Sequence, residues 1–225
     1  MEKNLATKQI VIGGIKSGQV NRKSWNEKVR NVDVFDIKSD AVRTLIELGL
    51  DEKNLFISDS TKASYHPGRS GSINLMSEKG PHLAYFGELH PSIIKNLDYK
   101  EKNIFGFEIF LKNIPQPNKK IRQTKPNYKV SDFQKSERDF AFIIDKNFKV
   151  QELVKIISEI DEKLIRNVKI FDLYQGENIP GDKKSVALSV TIQSLDKSLN
   201  DQDLEKINNL IISTVETKSG AKIRS

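Results

Sequence analysis

The chain has no cysteine, and its 225 residues include only three histidines and one tryptophan. The absence of cysteine excludes disulfides, zinc–cysteine sites and thiol catalysis, and it fits a reducing compartment such as the cytoplasm. No run of about 18 apolar residues occurs, so the sequence predicts no transmembrane helix. A hydrophobic content of 37% with 30% charged residues is typical of a globular protein with one large core or two ordinary ones.

Acidic residues are absent from Lys112 to Lys129, a stretch that carries six basic residues and three of the seven prolines. Residues 1–130 hold 22 basic and 14 acidic side chains, whereas residues 131–225 hold 15 and 16. Basic clusters attract nucleic acid through its phosphates, but a solvated lysine-rich connector has the same composition. The prolines predict an extended linker here.

Residues 131–225 have the periodicities of a β-α-β-β-α-β unit, with predicted strands at residues 138–145, 168–174 and 186–193. Asn200 is the predicted N-cap of the second helix, and Gly220 is the predicted left-handed residue at its end. The third strand has one apolar and one polar face, so both helices are expected on one side of an antiparallel sheet. This α+β pattern predicts a ferredoxin-like domain.

RNA-binding domains of this fold commonly stack bases on aromatic residues of the central strands. The polar face of the third strand offers Ser189, Thr191 and Gln193 and no aromatic residue. If this domain binds RNA, we therefore expect backbone and shape contacts. In the second strand, simple alternation assigns Asp172 to the same face as Val168 and Ile170.

Residues 1–117 also have an α+β pattern, with a largely antiparallel sheet. The pattern predicts strands at residues 10–15, 34–37, 54–58, 72–75, 83–89 and 103–111, and a helix at residues 40–48 with Ser39 as its N-cap. His66, Arg69, Glu88 and His90 could form an acid–base or metal site. The alternative is that both His-Pro pairs shape turns, with the imidazoles bonded to backbone.

Several motifs resemble those of the bacterial phenylalanyl-tRNA synthetase beta chain. Four segments resemble its ferredoxin-fold anticodon-binding domain: Arg138-Asp139 and residues 171–176, 179–185 and 198–201. Three further segments, residues 34–40, 65–71 and 87–91, resemble its non-catalytic, class II synthetase-like domain. Two departures are Gly181-Asp182, which changes the order in a turn, and Asn200, which replaces a threonine.

The resemblance implies three parts: residues 1–117 from the synthetase-like domain, a linker at 118–130, and an anticodon-binding domain at 131–225. It implies a C-terminal portion of a cytoplasmic beta subunit that binds tRNA(Phe) near the anticodon stem-loop and assembles with a catalytic alpha subunit as an alpha2-beta2 heterotetramer. It implies no catalytic residue, metal or cofactor in this portion and no membrane partner. ATP and magnesium are expected for the complete enzyme.

The candidate tRNA-binding residues are basic side chains of the last domain: Arg138, Lys183, Lys184, Lys222 and Arg224. Alternatively, Lys183 and Lys184 form a solvated hairpin and Arg138 pairs with Asp172. Two other functions remain open on the residues alone. One is a free-standing ferredoxin-like regulatory or ligand-binding module, and the other is an independent enzyme built on His66 and His90.

Overall fold

The computed structural model describes residues 9–96, 103–116 and 130–224, and the chain divides into two compact units, residues 1–125 and 126–225. Residues 118–129, which are nearly all of the predicted linker, lie outside the described residues. Each unit has one antiparallel sheet and its own hydrophobic core. Among the helices described, none is long and apolar enough to cross a membrane.

The first unit is a five-stranded sheet in the order β1-β5-β4-β3-β2. Its strands are β1 (Val11–Ser17), β2 (Leu55–Ser58), β3 (Tyr65–Leu75), β4 (His82–Leu89) and β5 (Ile104–Phe110). Helix α1 (Val34–Glu47) packs on β4 and β5 and buries Ile37, Ala41 and Leu45, which follow one another at a spacing of four residues. A short helix, α2 (Pro91–Asn96), follows β4.

The predicted strand at residues 34–37 and the predicted N-cap at Ser39 are both wrong, because helix α1 begins at Val34. Asp33 is the N-cap, and its carboxylate accepts from the backbone N–H of Phe35 and Asp36 at 2.8 and 3.1 Å. The Asp36 carboxylate in turn accepts a hydrogen bond from the Asp33 N–H at 2.9 Å. This capping box gives hydrogen-bond partners to backbone N–H groups that a helix start otherwise leaves unpaired. The segment that appears to alternate in sequence therefore forms the first turn of a helix.

The second unit has the predicted βαββαβ arrangement, with its four strands in the order β7-β8-β6-β9. Its elements are β6 (Ser136–Asp145), α3 (Val150–Ser158), β7 (Ile165–Tyr174), β8 (Lys183–Ile192), α4 (Asp201–Ser219) and β9 (Lys222–Ile223). Apolar residues of β6 and β8 pack with both helices in a single core. The opposite face of the sheet has no described element over it, and we call it the open face.

Both predicted ends of helix α4 are confirmed. The Asn200 side chain accepts from the Asp203 N–H at 2.8 Å, and Asp203 completes a capping box. At the other end, Gly220 has φ +65°, the left-handed conformation that glycine adopts without steric cost. Local capping chemistry therefore fixes the limits of this helix.

Strand β7 departs from simple alternation because it has two irregularities, between Ile165 and Asn167 and between Ile170 and Asp172. After the second one, Asp172 pairs with Ala187, whereas Ile170 pairs with Leu188 in the core. Directly opposed residues share a face, so the assignment of Asp172 to the face of Ile170 is wrong. An extra residue in one strand shifts every later side chain to the other face.

Candidate nucleic-acid interface

The open face of the second unit is a polar surface built from alternate residues of three strands. Strand β8 contributes Ser185, Ala187, Ser189 and Thr191, and these are paired with Ile143, Ala141, Asp139 and Glu137 of β6. Strand β7 adds Lys169 opposite Ser189 and Tyr174 opposite Ser185. The residues between them, such as Leu188 and Val190, are fully buried against the helices. Alternation along the strands thus separates a core face from a face available to a ligand.

Arg224 lies across one end of this open face. Its backbone N–H donates to the Ala141 carbonyl at 2.7 Å, which holds the residue beside β6. Its guanidinium carbon lies 5.8 Å from the centre of the Tyr174 ring, and Nη1 donates to Ser185 Oγ at 3.4 Å. Ala141 and Ala187 are paired here, and their small side chains leave room for the long arginine. The result is an exposed cation–aromatic pair.

Two other candidate residues lie near this pair. Lys222 pairs with Ile143, which itself pairs with Ser185, so Lys222 belongs to the open face. Lys183 pairs with Asp145 at the same end of β6. The structure therefore brings Lys183, Lys222 and Arg224 together at one end of the sheet, where they could contact phosphates.

Lys184 and Arg138 are placed differently. Lys184 lies on the opposite side of β8 and is buried, and its Nζ donates to the Lys146 carbonyl at 2.9 Å. Burial lowers the pKa of Lys184, and the nearby Asp145 charge opposes that shift. Arg138 is exposed and pairs with Val190, on the core side of the sheet. It is seven residues from Asp145, or roughly 24 Å along an extended strand.

The alternative ion pair between Arg138 and Asp172 is not formed. Along β8, Arg138 is level with Val190 and Asp172 is level with Ala187, and the two side chains lie on opposite faces. Within the described part of the chain, Arg138 has no ion-pair partner. Its charge is free to meet a ligand, but at the end of the sheet away from Arg224.

Exposed aromatic residues come from β7, a source that the sequence reasoning missed. Tyr174 and Phe171 are 39% and 56% exposed. Phe171 lines a shallow groove of about 360 Å³ together with Glu137, Asp139, Lys169 and Ser189. The motif from Phe171 to Tyr174 was visible in the sequence, but only the strand irregularity puts Tyr174 on the open face. That face is acidic near Glu137 and basic near Arg224.

Two histidines of the first unit, His66 and His90, bond to nearby backbone. His66 Nδ1 accepts from the Gly68 N–H at 3.0 Å, and His90 Nδ1 accepts from the Ser92 N–H at 3.3 Å. These bonds confirm that both imidazoles bond to backbone, but His66-Pro67 lies within β3 and His90-Pro91 lies at the start of α2, so neither pair forms the expected turn. Arg69 forms a salt bridge with the buried Glu88. No group of three potential metal ligands occurs within the described residues.

Comparison with known proteins gives matches to both units. A family model described as "Phenylalanyl tRNA synthetase beta chain CLM domain" matches residues 1–111, and one described as "Ferredoxin-fold anticodon binding domain" matches residues 131–224. Among curated proteins, the "Phenylalanine--tRNA ligase beta subunit" of Ehrlichia canis is 39% identical and that of Bartonella quintana is 38% identical. Each alignment covers 96% of this chain, and the chain spans only 26% and 27% of those relatives.

The fold and the matched range define the second unit as a ferredoxin-fold anticodon-binding domain. The first unit matches the beta-chain CLM domain, and the relatives align with both units in a single chain. The chain belongs to the phenylalanyl-tRNA synthetase beta-chain family.

Proposed function

We propose that this chain acts as part of a phenylalanine–tRNA ligase beta subunit, and that its second unit binds tRNA(Phe) near the anticodon stem-loop through the open face. The observation that carries the proposal is the Arg224–Tyr174 pair on the open face of an anticodon-binding domain. Unpaired bases stack on aromatic rings and guanidinium planes, while basic side chains contact phosphates. Both kinds of group meet at this end of the sheet.

The charge distribution restricts where the phosphates would lie. Residues 131–225 carry no basic excess, so affinity for RNA depends on local charge. Lys183, Lys222 and Arg224 supply it at one end, and Glu137 and Asp139 repel phosphate at the other. Asp172 is exposed on the same face as Tyr174, where its carboxylate could accept hydrogen bonds from a base edge.

The test is binding of an unmodified tRNA(Phe) transcript to the chain as a function of salt. We expect Arg224→Gln and Lys183→Gln each to lower the slope of log affinity against log salt by about 0.7 to 0.9, because each removes a phosphate contact. Tyr174→Ala should weaken binding by about 1–3 kcal/mol, while Tyr174→Phe should keep most of the affinity because the ring remains.

Arg138→Gln is the matched control, because it removes one charge from the same sheet at the far end. The proposal expects a smaller effect of this change than of Arg224→Gln. Equal losses in both variants would indicate general attraction to the domain. An unchanged affinity and slope in Arg224→Gln, with circular dichroism showing an intact fold, would contradict the proposed surface.

We also propose that the first unit supports assembly with the catalytic alpha subunit. Strand β1 is an edge of the sheet, and its outer side has no partner among the described residues. Val11 and Ile15 project from it, and Ile15 is 76% exposed. An open edge with exposed apolar residues is typical of a protein-binding surface.

Co-purification with the alpha subunit tests the assembly role. We expect Ile15→Lys to reduce capture of the alpha subunit, because it places a charge in the middle of the apolar edge. Met76→Lys is the control, since Met76 is 67% exposed in the turn after β3. Normal capture by the Ile15 variant would contradict this part of the proposal.

In this function the chain serves a cytoplasmic enzyme that uses ATP and magnesium to join phenylalanine to tRNA(Phe). His66 and His90 bond to backbone and Arg69 pairs with the Glu88 carboxylate, so all four side chains have structural partners. We expect the chain alone to give no phenylalanine-dependent exchange of pyrophosphate into ATP. Exchange that disappears on His66→Ala would contradict the non-catalytic role.

A further inference from the structure

The segment between β1 and α1, residues 18–32, folds back on itself as a hairpin. Gln19 and Asn31 form a β-bridge, the Val20 N–H donates to the Arg30 carbonyl at 3.0 Å, and the Val32 N–H donates to the Gly18 carbonyl at 2.9 Å. Residues 21–31 are all exposed. We call residues 21–28 the hairpin tip.

The base of this hairpin is fixed to the body of the first unit. Val32 is buried in the core. Arg30 makes two parallel bonds from its guanidinium to the Asp36 carboxylate, each of 2.7 Å. Asp36 is itself part of the capping box that starts α1. A bidentate arginine–carboxylate pair constrains geometry as well as charge, so the hairpin projects from a defined position.

The hairpin tip presents the only tryptophan of the chain to solvent. Trp25 is 97% exposed. Its basic neighbours at the tip are Arg22, Lys23 and Lys28, none of which has an ion-pair partner among the described residues. The single acid, Glu27, accepts a hydrogen bond from the Asn21 side chain at 2.9 Å. The tip therefore combines one bare aromatic ring with uncompensated positive charge.

The surroundings of Trp25 fit RNA better than a protein partner. Protein interfaces surround such an anchor with other buried apolar residues, and they are depleted in lysine. The tip has no other large apolar residue and carries two lysines. An unpaired base requires only one accessible ring for stacking, and flanking cations match the phosphates on either side of it.

We propose that the hairpin tip is a second RNA-binding site, in which Trp25 stacks on an unpaired nucleotide while Arg22, Lys23 and Lys28 contact the adjoining phosphates. The site is built by the first unit alone and shares no residue with the open face. It rests on the proposed function only in taking RNA as the partner.

The fluorescence of Trp25 tests this directly, because no other tryptophan contributes. We expect an unmodified tRNA(Phe) transcript and a short oligoadenylate to quench the emission saturably, with a midpoint that rises with salt. A blunt RNA duplex of the same length should quench little, because its bases are already stacked. The same quenching should remain in the Arg224→Gln, Tyr174→Ala double variant, which separates this site from the open face.

Variants measured with end-labelled oligoadenylate provide the second readout. Trp25→Ala should weaken binding about 5-fold or more, and Trp25→Phe should weaken it less, because a ring that can stack remains. Lys23→Gln should lower the salt slope by about 0.7. Phe35→Ala is the control, since that ring is 71% exposed on the first turn of α1, outside the hairpin tip.

Three results would overturn the proposal. The first is emission that RNA leaves unchanged. The second is a blue shift on adding the alpha subunit without any quenching by RNA, which would assign Trp25 to a protein interface. The third is equal binding by the Trp25→Ala and wild-type chains. Because the side chain is exposed, none of these substitutions should disturb the fold, which circular dichroism would verify.

Discussion

The two units use a similar plan, an antiparallel sheet with helical packing on it, but they differ in what they leave exposed. In the second unit, β8 and β6 bury the apolar residues of their core side and present a mostly polar open face. In the first unit, Ile15 of β1 and Phe35 of α1 are largely exposed. We expect the second unit to fold without a partner, and the proposed assembly role predicts that a protein surface covers the exposed edge of the first unit.

The largest expected difference between the two units is in their stability when each is expressed separately. We expect residues 131–225 alone to unfold in one cooperative transition, because all members of their core lie within that range. Residues 1–117 alone should bind a hydrophobic dye and lack a sharp transition. Thermal unfolding with dye fluorescence measures both. A sharp, reversible transition of monomeric 1–117 would show that its exposed edge needs no cover.

A core substitution sharpens the claim for the second unit. Phe142 is fully buried, and its ring centre lies 6.0 Å from that of Phe140. Phe142→Ala should lower the free energy of unfolding of this unit by about 3–5 kcal/mol, since it removes a large side chain and leaves a cavity. Denaturant titration measures the loss. Phe171→Ala, at an exposed ring of the same sheet, should change it by less than about 0.5 kcal/mol.

The two capping boxes allow a matched comparison between the units. Asp33→Ala should destabilise the first unit and Asn200→Ala the second, each by about 1 kcal/mol, because each leaves helix N–H groups unpaired. Residue-resolved hydrogen exchange would assign each loss to its own unit. Loss of protection in both units from one substitution would mean that they unfold together.

The smallest expected effect is a pH dependence confined to the first unit, which holds all three histidines. Burial lowers the pKa of His82, whose Nδ1 atom lies 3.0 Å from Asn74 Oδ1. The unfolded chain then binds a proton more readily, so this unit should lose stability as pH falls below about 6.5. Melting at about pH 7.5 and about pH 5.5 measures it. His82→Phe should reduce the difference in melting temperature between the two pH values. An unchanged difference in the variant would contradict a role of His82 in the pH dependence.

The sequence predicted elements whose limits are set by nearby residues. Helix α4 is the clearest case, because Asn200 and Gly220 act through bonds to their own neighbours. The same local reasoning failed at Val34, where Val-Phe-Asp-Ile resembles a strand and only the bonds between Asp33 and Asp36 show a helix start. Local pattern does not distinguish the two when a segment is this short.

The candidate site was predictable in part for a different reason. Lys183 is far in sequence from Lys222 and Arg224, and the strand order of the ferredoxin-like fold was the reason to expect them near one another. The position of Tyr174 depends on an irregularity in β7 that the residue pattern does not show. Alternation along β8 already places Lys184 on the side of Val186 and Leu188, but the pattern does not show that the Lys146 carbonyl accepts from its Nζ there.

The irregularities of β7 also bear on how the protein behaves at high concentration. This strand is an edge of its sheet and exposes Phe171 and Leu173. A regular edge of this composition would be a template for strand addition by another molecule, the first step toward fibrils. Because each irregularity interrupts the even spacing of N–H and C=O groups, an incoming strand can pair over only a few residues. The same distortion that exposes Tyr174 to a ligand thus discourages self-assembly.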